Sequence, residues 1–246
     1  MKFDYHIHTE DSYDSSIKAV DLINRAIQLN YNEIAITEHL DLLPLEIKKY
    51  GAPSLDHYYK RIKELQSNTS EINVLCGIEI GDYQRVKEYA LALVEDIQLD
   101  IILGSVHFLS DNTNVAVPLK KPLTQEQVKD YYWQNLVLVS QCDIDVLAHL
   151  GVYKRGYHYI PDESDFYPLI KDILATMIDR NIALEINYSS LRRGYPTFIP
   201  EIPILEMYLD LGGKLFSLGS DAHQIEHFDL YRELIPAKFC TSFRYL

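Results

Sequence analysis

Six of the nine histidines in this 246-residue chain stand where a short apolar run ends or has just ended. His6 and His8 close the run that starts at Lys2, and His39 follows the run Glu33 to Thr37. His107 and His149 close runs starting at Asp100 and Ile144, and His223 follows Lys214 to Leu218. Two carboxylates share the pattern: Glu79 lies at the end of Ile72 to Ile80, and Asp221 lies two residues before His223. Imidazole and carboxylate are metal ligands, and a buried layer of both without compensation would be costly. A donor set lacking thiolate suits zinc above all, with manganese and iron as the other candidates that affinity order does not exclude. One tetrahedral ion cannot use so many donors. Two to three divalent ions are therefore expected, and closely spaced ions are a recurrent device for phosphoryl hydrolysis.

Such a layer needs elements that end at one place. Seven strand-like runs recur: Lys2 to His8, Glu33 to Thr37, Ile72 to Ile80, Asp100 to His107, Ile144 to His149, Ile182 to Asn187 and Lys214 to Leu218. Helical spacing fills the intervals Ala19 to Leu29, Leu55 to Gln66, Gln84 to Asp96, Gln125 to Ser140, Tyr167 to Arg180 and Ile202 to Leu211. This alternation predicts a parallel sheet. An open doubly wound sheet would carry a Gly-rich phosphate loop after its first strand, whereas here that strand ends in His6-Ile7-His8-Thr9-Glu10. A barrel is favoured, and in a parallel barrel all strand C-termini face one mouth. Residues distant in sequence then converge there. His6 and His8, two apart, fall on one strand face, and Asp221 and His223 repeat the spacing if extended.

The bulk composition is that of one globular domain spanning residues 1–246, with 47% apolar and 24% charged residues. A formal charge of -13 sets the surface against nucleic acid and anionic membranes, so an anionic substrate requires a locally positive site. Cys76, Cys142 and Cys240 are widely spaced and suggest neither disulfides nor a thiolate site. The N-terminus lacks a signal-peptide stretch, and no run reaches the roughly 18 apolar residues of a membrane span. A cytoplasmic location is expected. His57, His158 and His227 fall in helical or loop segments and are expected at the surface.

The ordered signatures His6-Ile7-His8-Thr9, Thr37-Glu38-His39, Gly77-Ile78-Glu79, Gly104-Ser105-Val106-His107-Phe108, Ala148-His149, Glu185-Ile186-Asn187 and Gly219-Ser220-Asp221-Ala222-His223 resemble those of the polymerase and histidinol phosphatase (PHP) superfamily. The match to its histidinol-phosphate phosphatase branch spans nearly the whole chain. The resemblance implies an α/β fold, a distorted (β/α)7 TIM-like barrel with a trinuclear site. One metal would take His6, His8, Glu79 and Asp221; a second Glu79, His107 and His149; a third Asp14, His39 and His223. The residues alone leave Asp14 open, since Ser12, Asp14 and Ser15 could equally cap a helix beginning near Ile17. The implied activity is hydrolysis of the phosphate monoester L-histidinol phosphate by a metal-bridging hydroxide, with Glu79, Asp221 and His223 central to catalysis.

Three divalent ions would outweigh Asp14, Glu79 and Asp221 by about three charges, which favours a phosphate at the mouth. Phosphate-holding side chains are expected from two loops: Lys154-Arg155 after His149, and Asn187 with Arg192 and Arg193 in what looks like the family's asparagine-to-arginine loop. Glu38 is either a partner supporting a ligand or a helix-start carboxylate. Two other functions compete. Another PHP phosphoesterase would act on nucleotides, phosphotyrosine peptides or DNA ends, and a non-catalytic docking module would keep the fold without the reaction. All nine ligand positions hold competent residue types, which argues for retained chemistry. The oligomeric state is not legible.

Overall fold

In the computed structural model, which describes residues 1–52 and 54–245, seven parallel strands pair in chain order. They are β1 (Phe3–Asp4), β2 (Glu33–Asp41), β3 (Asn73–Gly81), β4 (Ile101–Ser105), β5 (Val146–Leu147), β6 (Ala183–Asn187) and β7 (Phe216–Gly219). Helices α1 (Ala19–Gln28), α2 (Pro44–Tyr50), α3 (Leu55–Asn68), α4 (Tyr83–Val94), α5 (Gln125–Gln141), α6 (Tyr167–Asp179), α7 (Ser189–Arg192) and α8 (Ile202–Asp210) fill the connections. The strands are buried almost throughout, as parallel strands covered by crossover helices must be. Each long helix turns a single apolar stripe inward; α1, for example, buries Ala19, Leu22, Ile23 and Ala26. Thr124 and Gln127 start α5 with a reciprocal capping box.

The sheet closes on itself between its first and last strands. Tyr5 N–H donates to the Leu218 carbonyl (2.9 Å), Asp221 N–H to that of His6 (2.8 Å) and His8 N–H to that of Ala222 (3.0 Å), with Ile7 and Ala222 forming a parallel bridge. The run Lys2 to His8 is accordingly extended, yet only Phe3–Asp4 is a regular strand. Asp4 explains the difference, because its carboxylate accepts from the N–H groups of His6 (3.1 Å) and Ser220 (3.2 Å), displacing the regular ladder. The distorted barrel expected from the sequence is the observed fold.

Other boundaries moved for local reasons. β2 continues to Asp41, so His39 lies within the strand instead of following it. β4 and β5 stop short of His107 and His149, which sit in the turns beyond them. Helices α2 and α7 are too short to show a periodic apolar pattern and were not expected. The C-terminal segment covers the opposite end of the barrel from the mouth: Ser242 bridges to Phe216, the first residue of β7, and Arg244 reaches Glu33, the first residue of β2 (3.4 Å). Phe239 packs edge-on against Phe216 with 5.3 Å between ring centroids.

Gly219 ends β7 where a side chain has no room. A Cβ there would fall 2.7 Å from His6 Cβ and overlap the Glu185 carboxylate. Gly219→Ala should therefore destabilise the barrel by about 1–3 kcal/mol. A thermal melt should show a loss of roughly 2–4 °C per kcal/mol; an unchanged Tm would refute the close approach.

Candidate metal centre

The barrel mouth gathers its polar side chains around Glu79. In the β2–β3 register His39 is the direct partner of Glu79, so a strand residue and its neighbour present both groups at one level. Oε1 of Glu79 lies 2.8 Å from His149 Nε2 and 3.4 Å from His107 Nε2. Its Oε2 lies 3.1 Å from His39 Nδ1, 3.3 Å from His6 Nε2 and 3.5 Å from His8 Nε2. Beyond these, His8 Nε2 is 3.7 Å from Asp221 Oδ1, and His39 and His223 face each other Nε2 to Nε2 at 3.4 Å. Asp14 reaches both of the latter rings, 3.5 Å from His39 and 3.4 Å from His223. The structure thus brings all nine sequence-expected ligand positions to one place.

The helix-cap alternative for Asp14 is not what the chain does. α1 begins at Ala19, whose N–H donates to Glu10 (2.7 Å), and Asp14 points to the two imidazoles instead. Half-exposed, it is the most accessible member of the cluster. The expected division into three ion sites is only partly reproduced by proximity. His6, His8 and Asp221 form one compact triad, His6, Glu79 and His149 a second, and His8, His39 and His223 a third, so His6 and His8 each belong to two groups.

Whether these residues suit divalent ions can be judged from the protein's own hydrogen bonding. Glu79 Oε2 and His39 Nδ1 are buried without a hydrogen-bond partner among the described residues, although they are 3.1 Å apart. His6 and His8 place Nε2 against Nε2 at 3.1 Å, and with Asp221 they form one compact buried triad of donor atoms. Orphaned buried polar atoms cost about 1–3 kcal/mol each. Nitrogen and oxygen donors in this density fit zinc or a similar ion.

Carboxylates and carbonyls behind the ligands fix the rings. His6 Nδ1 donates to Glu185 (2.7 Å), which requires the proton on Nδ1 and turns the Nε2 lone pair toward Glu79. His107 Nδ1 faces Asp41 (3.3 Å), and His223 Nδ1 donates to the Asp221 carbonyl (2.9 Å). His8 Nδ1 meets Ser12 Oγ (3.3 Å), and that hydroxyl donates to Glu38. Glu38 also accepts from Thr9 N–H (3.0 Å), so it supports the His8 to Ser12 loop and does not start a helix. Burial opposes charge on Glu79, but the imidazoles of His6 and His107 outweigh it and hold the carboxyl well below the usual range. His6 is driven the other way: burial opposes its protonation, yet Glu185 and Glu79 raise it well above an ordinary imidazole. Burial and the neighbouring rings of His39 and His223 push His8 well down.

Two of the supporting residues, Asp41 and Asp82, were not singled out by the sequence, whereas Glu185 stood in the signature Glu185-Ile186-Asn187 without an assigned role. Asp41 had a usable signal, being two residues from His39 and thus on the same strand face once β2 is known to be long. Asp82 accepts from the N–H groups of His107 (3.3 Å) and Phe108 (3.2 Å). Its position carried no periodic signal.

The phosphate-holding candidates divide. Arg155 is buried, lines the cleft above the cluster, pairs with Asp221 and donates to Ser189 Oγ (3.1 Å). Arg193 lines the same cleft from its exposed rim. Arg192 does not reach it. Its guanidinium donates to the carbonyls of Ser220 (2.6 Å) and Asp221 (2.5 Å), clamping a turn in which Asp221 adopts φ of 50°. Asn187 also works inward, donating to Glu185 (3.2 Å) and accepting from Ser189 N–H (3.1 Å). Lys154 is fully buried between Glu163 (2.5 Å) and Glu201 (2.8 Å), away from the mouth. These three corrections share a cause, since each polar head found a buried protein partner closer than the cleft. His57 and His158 are exposed, as expected, whereas His227 is half-buried.

Comparison with known proteins agrees with this geometry. The family model of the PHP domain matches residues 4–189. The chain is 31% identical over 231 residues to the "Probable histidinol-phosphatase" of Clostridium acetobutylicum, covering 91% of this chain and 87% of that protein. It is 30% identical over 228 residues to a protein of the same name from Thermotoga maritima, covering 91% and 85%. Among solved structures it is similar to histidinol phosphate phosphatase from Lactococcus lactis, determined with zinc, L-histidinol and phosphate, at a TM-score of 0.73 and 26% identity, covering 91% of this chain and 87% of that one.

Glu79→Gln removes the charge that five imidazoles surround. Elemental analysis should show fewer than two to three metal equivalents per chain, and turnover of phosphate esters should fall at least about 100-fold, beyond the usual effect of a supporting residue. Far-UV circular dichroism should hardly change. Wild-type metal content and turnover would refute the central place given to Glu79.

Proposed function

The chain belongs to the PHP domain family, and from that premise we propose that it is a metal-dependent histidinol-phosphatase, hydrolysing L-histidinol phosphate to L-histidinol and phosphate. The observation that carries the chemistry is the convergence of six histidines, Asp14, Glu79 and Asp221 on one mouth, beside the buried arginine Arg155. The substrate rests on relatives of about this length that bear the name, one of them solved with L-histidinol and phosphate.

His6, His8, Asp14, His39, Glu79, His107, His149, Asp221 and His223 would hold two to three divalent ions, zinc foremost. Bound there, such ions acidify water and neutralise phosphate oxygens. The protein's own residues do the rest. Arg155 Nη1 is paired with Asp221 and its Nη2 with the Ala116 carbonyl (3.1 Å), which fixes a guanidinium at the cleft wall, where it would meet a phosphate oxygen. Arg193 adds a second positive charge at the rim. Glu185 holds His6 in one tautomer, and Asp41 does the same for His107, so the donor atoms need little rearrangement.

The same surface disfavours other substrates. With a net charge of -13, long-range repulsion opposes DNA, and the small cleft suits a monoester better than a peptide. No helix among the described residues is long and apolar enough to cross a membrane. A cytoplasmic enzyme follows from this proposal.

Substrate choice is tested by kcat/KM for L-histidinol phosphate, AMP, a phosphotyrosine peptide and single-stranded DNA. L-Histidinol phosphate should lead by at least about 100-fold, roughly 2.7 kcal/mol of differential transition-state binding. Preferred cleavage of AMP or DNA would overturn the substrate while leaving the metal chemistry standing.

The two arginines separate in a second experiment. Arg155→Ala should lower kcat/KM by about 100-fold, as loss of one charge-stabilising donor does, with metal content retained. Arg192→Ala should instead release the Asp221 turn and lower metal content. Equal effects of the two changes on bound metal would refute this division.

A further inference from the structure

The cleft above the ligand cluster has a second charged wall that the metal chemistry does not use. Glu46, on α2, is only 4% exposed, and its Oε2 is buried without a hydrogen-bond partner. It does not turn back along its own helix but lines the cleft shared by Glu79, His107 and Arg155. Among the described residues no ion pair reaches it, and only the imidazoles of His107 and His39, beyond ion-pair distance, favour its charge. The nearby Lys49 donates instead to Tyr50 Oη (2.6 Å), and Arg155 is committed to Asp221. Burial first, and then the negative charge of Asp41, push the Glu46 carboxyl up to about 8, as befits a carboxylate lacking a counter-ion.

Beside Glu46 stands an aromatic wall. Tyr13 and Tyr50 stack with centroids 3.6 Å apart and planes inclined by 12°, and Tyr13 is anchored through its hydroxyl to Asp41 (2.8 Å). Tyr50 and Leu45, each 41% exposed, leave apolar surface facing the cleft. One cleft thus holds the ligand cluster with Arg155 and, apart from it, a buried carboxyl group beside planar apolar surface.

Resting on the proposed phosphatase activity, we propose that Glu46 is a specificity-determining residue that binds the cationic end of the leaving alcohol, with Tyr50 and Leu45 packing against its ring. A substrate carrying phosphate at one end and an ammonium group beside an imidazole at the other matches both halves of the cleft. A neutral alcohol leaves the buried carboxyl group without a partner, whereas a cation both pairs with it and favours its ionised form, and a site built to pair a polar group rejects analogues lacking it.

The test compares metal-loaded wild type with Glu46→Gln, which keeps shape and removes charge. The ratio of kcat/KM for L-histidinol phosphate to that for 4-nitrophenyl phosphate should fall at least tenfold. Inhibition by L-histidinol should weaken at least tenfold, while inhibition by inorganic phosphate should not weaken. A smaller fall in the ratio, an L-histidinol inhibition constant moved by less than tenfold, or equal weakening by L-histidinol and phosphate would each overturn the assignment. If wild type itself shows no preference for L-histidinol phosphate, the substrate proposal fails, and the two inhibition constants still decide the role of Glu46.

Discussion

Glu79 has five histidines, His6, His8, His39, His107 and His149, within 3.5 Å of its two oxygens, and they come from four different strands or strand ends. No local segment can build that arrangement. It exists only when the strands stand in sequence order around a closed barrel, so that adjacent C-termini come within one side-chain length of a common point. Barrel closure between β1 and β7 matters for the same reason, because it brings His6 and His8 against Asp221. The fold and the site are therefore one constraint seen twice.

Burying so many titratable groups demands support from behind. Glu185, Asp41, Glu38 through Ser12, and the Asp221 carbonyl each hold one ligand ring from the side away from the cluster. The backbone is also bent to fit. His149 and Asp221 adopt positive φ values of 28° and 50°, conformations that cost on the order of 1–3 kcal/mol for residues with side chains. Arg192 stabilises the second of these by donating to two consecutive carbonyls. Glu79, His39 and His149 keep orphaned polar atoms at the mouth, while the opposite end is sealed by Phe239 and Ser242 against Phe216.

Charge is sorted on a fine scale. The chain carries a formal charge of -13, yet two arginines line the cleft together with the ligand residues. Lys154 and Arg155 show how abruptly the sorting occurs. Consecutive in sequence, they lie on one short turn after β5, but Lys154 is held by Glu163 and Glu201 in the protein interior and Arg155 by Asp221 at the mouth. The lysine pins the turn, and the arginine is thereby aimed.

The ligands were legible in the sequence because a strand's end is a local property: apolar periodicity marks where it stops, and the residue types His, Glu and Asp mark what is presented there. His6, His8, His39, Glu79, His107, His149, Asp221 and His223 all stood out on that basis, and the parallel barrel that unites them followed from the β-α alternation. Asp14 needed the resemblance to a family, since its loop position fitted a helix cap equally well. The destination of long polar side chains beyond the strands was not legible. Arg192, Asn187 and Lys154 were expected at the phosphate and went elsewhere, while Glu46 entered the cleft and Asp41 came to stand behind His107 unannounced. A side chain several bonds long can reach in many directions, and its final one is set by which carbonyl or carboxylate the folded neighbours place nearest, which only the tertiary structure decides.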